Sequence, residues 1–169
     1  MPDIRITMVT QEDPLEHTVG YSATTSLLKP TIILADDDED DRIFFEDSVR
    51  RHIPDANLVM VGSGYELLTQ LKSLPAVPDV IVVDVNMPGY TGIECLDSIR
   101  HDPALATIPV VIISSSTLAT QVDEAFQKKA NRYVVKPQTL NGLRKAIKEI
   151  LTANWQELQV TDRSRFVYT

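Results

Sequence analysis

The sequence predicts an α/β fold, a doubly wound parallel sheet of five strands with helices on both faces. Three observations predict it. Between Pro30 and Thr152, short apolar β-branched runs alternate five times with longer segments of helical spacing. Two of the runs, VIVVD and PVVIIS, are apolar at consecutive positions, as strands covered on both faces must be. Pro30, Pro54, Pro78, Pro109 and Pro137 all fall at junctions, where a missing N–H does little harm.

The strands are expected at residues 31–35, 57–61, 80–83, 110–113 and 133–135, and the helices at 39–52, 64–73, 91–100, 119–128 and 139–151. The first helix starts in a run of acids, which suits the positive end of the helix dipole. The last has the clearest period: Leu140, Leu143, Ile147, Ile150 and Leu151 share one face, and Arg144, Lys145, Lys148 and Glu149 share the other. Residues 30–152 therefore read as one domain, flanked by an N-terminal extension at 1–29, expected to be flexible, and a C-terminal extension at 153–169. Neither flank has the length of an ordinary second domain, so no output module is expected. Trp155, Phe166 and Tyr168 make the C-terminal extension too aromatic for a solvated tail, and it is expected to pack on the domain or across a homodimer interface.

Composition narrows the function. A net charge of −8 argues against a general nucleic-acid binder. The single cysteine, Cys95, excludes an internal disulfide or multi-cysteine zinc site and reads as a small buried hydrophobe. No apolar run approaches the ~18 residues of a membrane span, and the N-terminus lacks a signal-peptide core. The expected address is the cytoplasm, with no membrane partner.

In an open parallel sheet, ligands bind beyond the carboxyl ends of the strands. Asp36-Asp37-Asp38-Glu39-Asp40-Asp41 follows the first strand, Asp84 and then Asn86-Met87-Pro88-Gly89 the third, Ser114-Ser115-Ser116 the fourth, and Lys136-Pro137 the fifth. Each has an ordinary explanation alone: a solvated helix start, an N-cap, a turn lysine. Asp84 is harder to explain that way, because an acid closing four apolar residues is costly to desolvate unless paired. Together they fit one chemistry. Clustered carboxylates make a hard oxygen site for Mg²⁺, Asp84 is a carboxylate nucleophile toward phosphorus, and Lys136 and Ser114 can hold phosphoryl oxygens. Phosphoryl transfer needs mainly positioning and charge stabilisation, so no general base is required.

The stretches IILADDDED (32–40), DVIVVDVNMPGYTG (79–92), IPVVIISSS (108–116) and ANRYVVKP (130–137) resemble a response-regulator receiver domain of two-component signalling, most of all the stand-alone type without an output domain. The resemblance implies a flavodoxin-like (βα)5 fold with strand order 2-1-3-4-5. It implies that Asp84 is the phosphoacceptor, and that Asp36, Asp37, Asp84 and the Asn86 carbonyl surround Mg²⁺. It makes Ser114 the switch hydroxyl, with Ser115 beside it, Lys136 the phosphoryl-binding lysine and Tyr133 the aromatic that reports phosphorylation. It further implies a cis Lys136–Pro137 bond, a sensor histidine kinase or phosphotransfer protein upstream, and a protein target downstream. Such a protein is a phosphoacceptor that promotes its own phosphorylation and dephosphorylation, not an enzyme with a separate catalytic domain. Two positions depart from the family pattern: Lys129 stands where glycine commonly ends the fourth helix, and Ser114 replaces the commoner threonine.

Three other readings explain less. A haloacid-dehalogenase-like phosphatase would use Asp36 and Asp38 as its DxD pair, but Asp40 then stands where Thr or Val belongs, and Asp84 is unexplained. A calcium-binding loop would need glycine where Asp41 stands. A pseudo-receiver scaffold would not need every phosphorylation residue to be present.

Overall fold

The computed structural model describes residues 29–154 and 163–169. Its elements run β1 (Thr31–Ala35), α1 (Glu39–His52), β2 (Asn57–Val61), α2 (Gly64–Ser73), β3 (Val80–Asp84), α3 (Gly92–His101), β4 (Val110–Ser114), α4 (Ala119–Gln127), β5 (Arg132–Val135), α5 (Leu140–Thr152) and β6 (Val167–Tyr168). The sheet is parallel in the order β2-β1-β3-β4-β5-β6. The expected 2-1-3-4-5 order is present, and the C-terminal extension adds a sixth strand on the β5 edge.

Helix starts follow the capping chemistry of the sequence. Asp38, Ser63, Thr91 and Thr139 cap α1, α2, α3 and α5 with side-chain oxygens, and Thr91 and Glu94 form a reciprocal capping box. Residues 91 and 139, expected inside helices, are therefore caps.

Strand alternation sorts the core into two layers. Ile33, Ala35, Ile81, Val83, Ile112 and Tyr133 pack against α2, α3 and α4. Ile32, Leu34, Val80, Val82, Val111, Ile113 and Val134 pack against α1 and α5. Leu143, Ile147, Ile150 and Leu151 are buried as the period predicts, but Leu140 is exposed. It opens α5, beyond the ends of the strands, where the sheet no longer lies beneath it.

Phe166, immediately before β6, is fully buried. Its ring meets Phe126 edge-on at 5.2 Å between centroids and Tyr133 at 6.4 Å. Arg163 bonds Asp123 on α4 through Nη2 at 2.6 Å and Nε at 3.0 Å. The end of the extension thus packs on its own chain. Trp155 lies outside the described residues, as do residues 1–28.

Candidate phosphoryl-acceptor site

Register and alternation together build the site. Ala35 pairs with Val83, so Asp36 and Asp84 follow side by side at the ends of β1 and β3. Ser114 pairs with Val135, so Lys136 stands one residue beyond β5. Each residue points to one face or the other by period 2. Counting from Leu34, Val82 and Val134, which face α1 and α5, the side chains of Asp36, Asp84 and Lys136 fall on that same face. Ser114 follows Ile113 and takes the opposite side, with Tyr133.

The Lys136 ammonium is the centre of the acid cluster. Its Nζ lies 2.7 Å from Asp36 Oδ2, 2.8 Å from Asp41 Oδ2 and 2.8 Å from Asp84 Oδ1. Asp36 and Asp84 are buried; Asp41 sits nearer the rim, its side chain 31% exposed. Burial works against the charge on Lys136, but hydrogen bonds to the three carboxylates outweigh it and raise its pKa. At Asp36 the balance is reversed. Burial raises the carboxyl above its ordinary value despite Lys136, with the Asp84 charge adding to the effect. Behind the lysine lies a cavity of about 10 Å³, bordered by Leu34, Phe45, Ile113, Leu143 and Ile147. It has room for no more than one water.

Backbone amides fix the carboxylates. Asp38 N–H donates to Asp36 Oδ1 at 3.0 Å, and Asn86 N–H donates to Asp84 Oδ2. Arg42 Nη1 donates to the Asp36 carbonyl at 2.8 Å. Gly92 opens α3 directly on the acceptor strand: a Cβ there would stand 2.2 Å from the Asp84 carbonyl oxygen. Gly89, at φ 81°, supplies the left-handed turn after Pro88.

On the other face, Ser114 Oγ accepts from Ser116 N–H at 3.1 Å, and the Tyr133 hydroxyl donates to the Ser116 carbonyl at 3.0 Å. Burial pushes the Tyr133 hydroxyl pKa up, against a hydrogen bond with Ser114. Tyr133 is fully buried with its ring turned inward.

Of the sequence-predicted site residues, Asp36, Asp84 and Lys136 meet directly, and Ser114 lies with Tyr133. Asp37, Asn86 and Ser115 are exposed at the mouth of the site. The Lys136–Pro137 bond is trans, which corrects the cis expectation, since the described residues contain no cis peptide. Trans is the lower-energy isomer of an X–Pro bond by about 0.5–1 kcal/mol. Sequence reasoning gave no separate role to Asp41, Arg42 or Gly92. Asp41 stood in the acid run, but nothing in the run sets it apart from Asp40; only the helix geometry does.

The comparisons with known proteins give the family and its fold. The family model for the response regulator receiver domain matches residues 32–148. The chain belongs to that family. It is 42% identical over 72 residues to the chemotaxis protein CheY of Pseudomonas aeruginosa, a match covering 43% of this chain and 58% of that protein. It is 31% identical over 123 residues to the two-component response regulator ARR3 of Arabidopsis thaliana, covering 68% of this chain and 52% of that one. These matches span between half and three fifths of those relatives. Among solved structures, the phosphorylated cyanobacterial phytochrome response regulator RcpA aligns with a TM-score of 0.72 and 27% identity, covering 77% of this chain and 96% of that one. The Mn²⁺-bound form of the response regulator Rcp1 aligns with a TM-score of 0.69 and 26% identity, covering 76% and 95%. Among the described residues, no helix of this receiver chain is long and apolar enough to cross a membrane.

Proposed function

We propose that this receiver accepts a phosphoryl group on Asp84 from the phosphohistidine of a sensor kinase or phosphotransfer protein, and signals onward in the cytoplasm through protein contacts. The observation that carries the reading is the Lys136 ammonium set between Asp84 and Asp36 at the carboxyl edge of the sheet. Asp84 has one oxygen on Lys136 and the other on the Asn86 amide, so its carboxylate is held in one orientation for attack on phosphorus. Lys136 offers N–H donors where charge gathers on the phosphoryl oxygens. The neighbouring amides and Arg42 keep the acids in place as this happens.

Among the described residues, no group of three or more acidic, His or Cys side chains is arranged to hold a metal ion, the point where Asp36, Asp41 and Asp84 converge being taken by the Lys136 ammonium. The donor set nevertheless suits Mg²⁺, being made entirely of hard oxygens: Asp36, Asp37, Asp84 and the Asn86 carbonyl. When bound, Mg²⁺ supplies charge neutralisation among the acids and a Lewis-acidic contact to a phosphoryl oxygen. Asp37 and Asn86 are both exposed and would hold the ion together with Asp36 and Asp84.

Ser114 and Tyr133 are the output side of this reading. A phosphoryl group on Asp84 draws the Ser114 hydroxyl toward it, which breaks the Ser116 contact and frees the Tyr133 region to repack. The surface of α4 and α5, with β6 covering the β5 edge between them, is the face through which a downstream protein would read this change; a homodimer is a second use of the same face. A net charge of −8 argues against a general affinity for nucleic acid or for an anionic membrane surface.

The test is phosphorylation by acetyl phosphate with Mg²⁺, followed by intact-mass spectrometry. Wild type should gain one phosphoryl group, and Asp84→Asn should lose at least ~95% of the labelling rate, because an amide oxygen is a poor nucleophile. Equal labelling of the two proteins would sink the assignment. Chelation of the metal should stop labelling while circular dichroism shows the fold unchanged.

A further inference from the structure

We propose that Asp41 is a positioning residue for phosphoryl transfer, which holds the Lys136 ammonium toward α1 so that an incoming phosphoryl group must compete with it for that lysine. The inference rests on the reading of Asp84 as acceptor and concerns how readily the site takes up its charge.

An ammonium has three N–H donors. In this structure it meets three carboxylate oxygens, one each from Asp36, Asp41 and Asp84, all within 2.8 Å. No donor is left over for a phosphoryl oxygen. Asp36 and Asp84 are strand-end acids, buried and tied to backbone amides. Asp41 is different in origin and surroundings. It comes from the first turn of α1, where the Asp38 cap bonds the amides of both Asp40 and Asp41. That turn directs Asp41 to Lys136, while Asp40 stays exposed.

Transfer changes the balance among the three. An Asp84 oxygen forms a bond to phosphorus as the donor's P–N or P–O bond breaks, and the electron pair leaves on imidazole or on the carboxylate of an acyl phosphate. The negative charge of Asp84 then resides on the phosphoryl oxygens, and the donor that Asp84 held can serve one of them; a second phosphoryl oxygen reaches Lys136 only by displacing Asp36 or Asp41. Asp36 is buried, and losing its cation would leave an unpaired charge in a dry site. Asp41 is partly hydrated and can be released at lower cost. It is therefore the carboxylate with which the phosphoryl group competes.

The experiment compares Asp41→Asn with Asp40→Asn, which removes the same charge one residue away without touching Lys136. Both are labelled by acetyl phosphate in saturating Mg²⁺, and both are titrated with beryllofluoride. Asp41→Asn should raise kcat/KM for labelling and tighten beryllofluoride binding on the order of 10-fold relative to Asp40→Asn, the scale of one charge-assisted hydrogen bond. Asp41→Glu should restore values near wild type. Thermal melting establishes that each variant is folded, with Asp41→Ser as a second variant without the carboxylate. If Asp41→Asn matches Asp40→Asn, or is slower, the positioning role is overturned while labelling of wild type keeps the acceptor reading intact. If wild type takes up no phosphoryl group at all, the acceptor reading itself fails.

Discussion

Lys129 carries a backbone cost that its side chain does nothing to offset. It closes α4 at φ 62°, a conformation that favours glycine, and is the one non-glycine among the described residues with positive φ. The turn is a complete Schellman motif: Lys129 N–H donates to the Phe126 carbonyl and Ala130 N–H to the Ala125 carbonyl, both at 3.0 Å. Arg100 holds the Lys129 carbonyl from the neighbouring helix through Nε and Nη2, each at 3.0 Å. Lys129→Gly should therefore stabilise the fold by about 1 kcal/mol, since relief of the strain exceeds the added freedom of the unfolded chain. A urea midpoint that falls, with the slope unchanged, would contradict this. The sequence marks Lys129 as a departure from the glycine common in its family, which puts the turn there in doubt, and the structure keeps the glycine-type turn with lysine in it. Asp36, Asp84, Ser114 and Lys136 were legible because each closes an apolar run whose register the parallel sheet fixes. The trans state of Lys136–Pro137 was not, since the two isomers of an X–Pro bond differ by only about 0.5–1 kcal/mol and no local signal in the chain decides between them.

The elements were legible wherever periodicity was strong. The bounds of α1 and α2 coincide with the apolar spacing, and β3 and β4 each extend one residue further than expected, because Asp84 and Ser114 still pair in the ladder. β6 was not legible as a strand. Two residues carry no period, and Val167 and Tyr168 are held by pairing with Tyr133 and Val134 across the sheet. The aromatic content of the extension did signal that it packs, and Phe166 is the residue that explains it. Its position against Tyr133 and Phe126 makes the last strand part of the same core as that tyrosine. Phe166→Ala should cost about 3–5 kcal/mol, the usual range for a buried phenylalanine. Removal of residues 163–169 should lower the melting temperature and let the Tyr133 ring exchange between environments in NMR spectra. A truncated protein with the same melting temperature and an unchanged Tyr133 signal would show that the strand contributes nothing to the core.

At the scale of the whole molecule, the two layers of the core meet through one continuous sheet, so the α2–α3 side cannot open far without disrupting strands that also support the acid site. Cys95 reports on that opening. It is fully buried on α3, so close to α2 that a Cβ on Gly64 would stand 2.7 Å from its sulfur. Burial, with the Glu94 charge adding to it, pushes the thiol up to about 11 from an ordinary value of 9.0. Alkylation of the native protein at pH 8 should therefore be slower than that of the unfolded chain by a factor on the order of 10³ or more, because reaction requires cooperative opening. The same shift sets a pH dependence. A thiol that ionises less readily in the fold contributes stability in full below its unfolded pKa, and that contribution is lost as pH rises from about 9 through about 11. Wild type should lose roughly 2–3 kcal/mol over this window beyond whatever Cys95→Ala loses, the variant cancelling the lysines and tyrosines that titrate in both proteins. Denaturant melts of the pair at pH 8, 9, 10 and 11 measure the difference directly. Parallel pH profiles, or alkylation of the native protein within tenfold of the unfolded rate, would mean that the α2–α3 layer opens independently of the sheet and that Cys95 is reached by a local motion.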